Sequence, residues 1–152
     1  MFFLLINSGI CAQTPTIDSL KHQITLTIND SIKSHLYERL GYEYLYFKPD
    51  SALLYIDRAI TIAELAKNKS ASAAGYNRKG TYYVLQSKYP EAIVEFQKAL
   101  PFFKKTKDSV GLAESYCNLG ALDFYLRDYD SSLANFQEAS NYIDSLKQVN
   151  LY

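Results

Sequence analysis

The sequence predicts an all-α fold, an α-solenoid of antiparallel helix hairpins, and three observations predict it. First, Tyr76, Gly80, Tyr89, Phe96, Gln97 and Ala99 recur 40 residues later as Tyr116, Gly120, Tyr129, Phe136, Gln137 and Ala139. Repetition at one spacing marks an array whose units bury their apolar faces only by stacking on one another. Second, each unit carries apolar and small residues at helical spacing twice over: Ala73, Tyr76, Gly80 and Tyr83, then Ala92, Phe96, Ala99 and Phe103. Third, the two runs are separated by Ser87-Lys88-Tyr89-Pro90-Glu91. Pro90 suits a first helical turn, where its missing N–H has no partner to lose.

Taken from the N-terminus, residues 1–12 stand apart. The apolar Met1-Phe2-Phe3-Leu4-Leu5-Ile6, then Asn7-Ser8-Gly9 and Ile10-Cys11-Ala12 before Gln13, look like the end of a secretory leader cut after Ala12. The run is far short of the ~20 residues a membrane helix requires, so no membrane insertion by this segment is expected. No Lys or Arg precedes it, so either the leader starts upstream or the segment is not a working signal. Cys11 as a lipid anchor fits less well, because Ile10 is bulky where a small residue is wanted. A real signal implies export to the periplasm or cell envelope; otherwise the chain is cytoplasmic.

Residues 13–30 read as a covering helix through Ile17, Leu20, Ile24 and Ile28. Three hairpins follow, at about 31–68, 71–107 and 110–147. In the first, Ala52, Ile56, Ala59 and Ile60 answer to Ala92, Phe96, Ala99 and Leu100, and Leu40 falls where the others have glycine. Lys48-Pro49-Asp50-Ser51 and Arg127-Asp128-Tyr129-Asp130-Ser131 occupy the within-hairpin joints and offer Asp and Ser as helix caps. Asn68-Lys69-Ser70 and Lys107-Asp108-Ser109 make the turns between hairpins. Pro101 lies inside the second helix of the middle hairpin and should bend it. The last helix carries Phe136, Tyr142, Ile143 and Leu146 with no further repeat to cover them, which predicts self-association, a continuation, or a binding surface.

Composition sets limits on function. Lys plus Arg and Asp plus Glu are both 16, so no net field draws the chain to nucleic acid. Cys11 and Cys117 have no CxxC spacing and do not cluster with His22 or His35, so neither a metal nor a redox cofactor is expected. Gly75-Tyr76-Asn77-Arg78-Lys79-Gly80-Thr81 lacks the lysine of a phosphate loop and falls within a helix. Asp128-Tyr129-Asp130 lacks the glycine and terminal glutamate of a calcium loop. No catalytic constellation emerges, and an enzyme is not expected.

The run of aromatic, Leu-Gly, Tyr, Ala, aromatic and Ala along a helix-turn-helix resembles the tetratricopeptide repeat family. The resemblance implies a right-handed superhelix and a protein or peptide partner held on the concave face of the first helices. Family repeats are usually about 34 residues, so the 40-residue period implies a second helix about one and a half turns longer, as in exported bacterial members. Family positions place Ser34, Tyr37, Gly41 and Tyr44, then Ala74, Asn77, Thr81 and Val84, then Glu114, Cys117, Ala121 and Phe124 on that face, with Arg78 and Asn118 beside it. Of these, Tyr37, Tyr44, Asn77, Arg78, Thr81, Glu114, Asn118 and Phe124 are the candidate groove residues. Asparagine both donates and accepts, which suits gripping an extended backbone. The positions at which some members clamp a C-terminal carboxylate hold Tyr37, Gly41, Arg78, Glu114 and Asn118, the wrong set for that ligand. The chain is thus expected to be an adaptor or, alternatively, the truncated sensor segment of a membrane-anchored signal transducer.

Overall fold

The computed structural model describes residues 8–149, with side chains placed from 16 to 144. The described residues form seven helices: α1 (Ser8–Leu26), α2 (Asp30–Tyr44), α3 (Pro49–Leu65), α4 (Lys69–Leu85), α5 (Tyr89–Thr106), α6 (Ser109–Tyr125) and α7 (Tyr129–Val149). Residues 1–7 of the expected leader, and the side chain of Cys11, lie outside what is described. The chain is an all-α helical repeat solenoid in which α2–α3, α4–α5 and α6–α7 are hairpins and α1 packs on α2. None of the described helices is long and apolar enough to cross a membrane.

Local chemistry ends each helix. Asn29, Asn68, Asp108 and Asp128 accept a bond from the N–H three residues on, at 3.1, 3.1, 2.9 and 3.2 Å. Lys48 and Lys88 cap α3 and α5 without a side-chain bond, and Pro49 and Pro90 take the first turn instead. The Asp and Ser expected as caps in Lys48-Pro49-Asp50-Ser51 are therefore not used as such. On the exit side, Lys67, Ser87, Lys107 and Arg127 adopt positive φ, 20 residues apart. Each is followed by an amide that reaches back five residues, as Lys88 does to Tyr83 at 2.9 Å and Asp128 to Asp123 at 2.9 Å. This closure satisfies carbonyls the helix would leave orphaned.

The second helix is the longer one in each hairpin, at 17 residues against 15, 18 against 17 and 21 against 17, but in the middle hairpin the two differ by a single residue. The period is not uniform: cap Asn29 to cap Asn68 is 39 residues, whereas Asn68 to Asp108 is 40. Hence α2 is shorter, at 15 residues, and no left-handed residue follows it. Leu40 is core, and Gly41 plays the part of Gly80; a Cβ on Gly41 would lie 2.7 Å from Ile56 Cγ1. Despite Pro101, α5 is continuous from Tyr89 to Thr106.

The core follows the hairpins. Ile17, Leu20 and Ile24 of α1 join Leu36, Leu40, Ala52, Ile56 and Ile60 in one cluster. Ile28, expected in the covering helix, lies past its end and is 95% exposed. Phe96 and Ala92 of α5 meet Leu119 and Leu122 of α6. Tyr129 and Phe136, the repeat counterparts of Tyr89 and Phe96, are exposed because no described element covers α7.

Candidate functional site

The first helices touch one another, α2 with α4 and α4 with α6, while among the described residues α3, α5 and α7 do not. Close approach on one side and separation on the other define an inner face made of α2, α4 and α6.

Between α4 and α6 this face opens into a groove of about 470 Å³. Asn77, Arg78 and Thr81 of α4 line it on one side and Val110, Glu114, Cys117 and Asn118 of α6 on the other, and Ile143 of α7 also contributes to the lining. A smaller hollow continues it past Thr81 and Asn118 to Val84, Ala121 and Tyr125. Five of the eight candidates (Asn77, Arg78, Thr81, Glu114 and Asn118) are therefore brought together.

Their bonding is uneven. Asn77 is buried; its amide donates to Glu114 Oε2 at 3.4 Å, and its Oδ1 accepts from Ser115 Oγ at 3.2 Å. These bonds tie α4 to α6 and fix the groove floor. Arg78 points the other way, donating from Nε to Glu38 Oε1 at 2.6 Å with its guanidinium 4.5 Å from the Tyr42 ring centroid. Thr81 Oγ1 donates to the Asn77 carbonyl at 3.2 Å. Asn118 is half-buried and its amide has no partner among the described residues.

Three candidates are placed elsewhere. Tyr37 and Tyr44 both stack on Tyr55, with centroids 6.1 and 5.4 Å away, and Arg58 lies over Tyr37. They hold α2 to α3 and do not face the groove. The cause is the 39-residue first period: stepping back 39 from Ala74, Asn77 and Thr81 gives His35, Glu38 and Tyr42. Two of these, Glu38 and Tyr42, meet Arg78, and His35 Nδ1 lies 3.8 Å from Glu38 Oε2. Matching Gly41 rather than Leu40 to Gly80 would have found them. Ser34 and Gly41, expected on the face, are buried for the same reason. Phe124 is 58% exposed and sits edge-on to Tyr125 and Tyr129 at the turn into α7, outside the groove. Val110 and Ile143 were missed; each is an aliphatic residue that helical spacing alone assigns to a core.

The outer side of α4 carries its own polar links to α3. Lys79 Nζ donates to Asp57 Oδ1 at 2.7 Å; burial works against its charge, but Asp57 and Glu95 outweigh it and hold the ammonium above its usual range. The Tyr76 hydroxyl donates to Glu64, and this bond together with burial pushes the phenol up to about 12. No group of three or more His, Cys, Asp or Glu that could hold a metal occurs among the described residues.

An open groove of mixed polar and aliphatic lining on the inner face of a helical solenoid defines a repeat scaffold whose surface suits contact with another chain. The tetratricopeptide repeat family model matches residues 71–142, from α4 into α7, and supports reading these two hairpins as tetratricopeptide repeats. Repeats of that family generally mediate protein interactions. No curated protein matches the chain.

Proposed function

We propose that the chain is a non-catalytic protein-interaction module that receives an extended peptide segment of its partner in the α4–α6 groove. The observation that carries this reading is Asn118, an amide with no partner among the described residues, on a wall whose floor is already fixed by Asn77 and Ser115. An amide placed this way can both donate to and accept from a peptide backbone. A random octapeptide library displayed on phage tests it. Recovered peptides should bind the wild-type chain and lose binding to Asn118→Trp, which fills the groove while leaving helicity unchanged. Peptides that bind both proteins equally, or no recovered peptide at all, would refute it. Export remains part of this proposal, resting on residues 1–12 of the sequence, and N-terminal sequencing that finds Gln13 first supports it.

A further inference from the structure

The charges of the inner face do not balance evenly along it. Glu38 on α2 is taken up by Arg78 at 2.6 Å, with His35 beside it, so the α2–α4 side is neutralised. Glu114 on α6 is exposed, and no cation pairs with it among the described residues; its one partner is the neutral Asn77 amide at 3.4 Å. Among the described residues the groove therefore presents one carboxylate without a cation of its own, since Arg78, which also lines it, is held by Glu38. Glu114 lies in the same hollow as two exposed aliphatic side chains, Val110 and Ile143. Apolar walls beside a lone carboxylate match a side chain with a hydrocarbon stem and a cationic head, because such a residue covers apolar surface while keeping its charge at the rim. An acidic or purely apolar side chain satisfies only one half of that surface.

We infer that the partner segment carries a lysine or arginine whose aliphatic stem lies on Val110 and Ile143 and whose head pairs with Glu114. This rests on the groove being the peptide site, and the experiment separates the two. The same octapeptide library is selected in parallel on the wild-type chain and on Glu114→Lys. Peptides from the wild-type selection should share a lysine or arginine at one position, and those from Glu114→Lys should lose it in favour of aspartate or glutamate. The tightest wild-type peptide should bind Glu114→Gln about fivefold more weakly, as expected for one rim charge pair. Replacing its cation by norleucine should cost a similar factor and make the peptide indifferent to Glu114→Gln. Peptides that are sensitive to Asn118→Trp but show no cation preference overturn this inference and leave the groove standing. Peptides insensitive to Asn118→Trp overturn both.

Discussion

The middle and last hairpins are written in nearly the same residues yet sit in different surroundings. In α5, Phe96 is 1% exposed against Leu119 and Leu122 of the next hairpin; its counterpart Phe136 in α7 is 42% exposed, and among the described elements α7 packs on α6 alone. Tyr89 and Ile93 border the same inter-hairpin core, whereas Tyr129 and Leu133 face outward. Identical letters thus take their energetic meaning from what stacks on them, as a linear array requires.

Three measurements sharpen or break this contrast. The largest effect should come from truncating the rings. Phe96→Ala should cost about 3–5 kcal/mol by leaving a cavity, and Phe136→Ala about 1 kcal/mol because much of that ring already meets water. Equal losses in urea unfolding would mean that α7 is covered by something outside the described residues.

Next in size is a pair whose signs should differ. A methyl on Gly80 would meet Phe96 ring atoms at 2.5, 2.6 and 2.8 Å, and that ring has no room to retreat. Gly80→Ala should therefore destabilise by about 1–3 kcal/mol. On Gly120 the methyl would lie 3.1–3.2 Å from Phe136, which is free to shift outward. There the better helix propensity of alanine should leave stability unchanged or raise it by up to about 1 kcal/mol. A thermal melt showing both variants shifted the same way would defeat this reading.

The smallest effect is a pH dependence. Tyr76 and Tyr116 each stack within their own hairpin, on Phe102 and Tyr142, but Tyr76 donates back to the Glu64 carboxylate of the preceding hairpin where Tyr116 meets the Lys104 ammonium. Because the fold holds the Tyr76 proton more tightly than an unfolded chain does, its contribution is complete below pH 10 and drains away as pH rises towards about 12. Across that window the melting temperature of Tyr76→Phe should fall less steeply than that of the wild type. Parallel curves would show that the Glu64 bond adds no pH-linked stability.

The period, the hairpins and most helix ends were legible in the sequence because they depend on local signals: apolar spacing, Asn and Asp caps, and a proline in the first turn. The inner face of α4 and α6 was reached through the family resemblance, whose positions fall on Asn77, Thr81, Glu114 and Asn118. The inner face of α2 was not. One residue fewer between Asn29 and Asn68 rotates every assignment in that helix by about 100°, which turned Tyr37 and Tyr44 from groove residues into the ring stack around Tyr55. The left-handed turns were hidden too, since Lys67, Ser87, Lys107 and Arg127 give no glycine signal. Side-chain pairing across hairpins, such as Arg78 with Glu38, depends on register, which composition does not encode.

Those four turns also bear on how such a gene can change length. Any two of them that belong to the same class lie one full repeat apart, so joining Lys67 directly to Asp108 recreates the Lys107-Asp108 junction letter for letter. Unequal crossing-over at that point would delete a hairpin and still supply a proper helix stop and start. What it could not conserve is the fit behind the seam, where Gly111, shaped to the Phe103 ring, would find Ala63 in its place. The punctuation of this chain is interchangeable, and its upholstery is not.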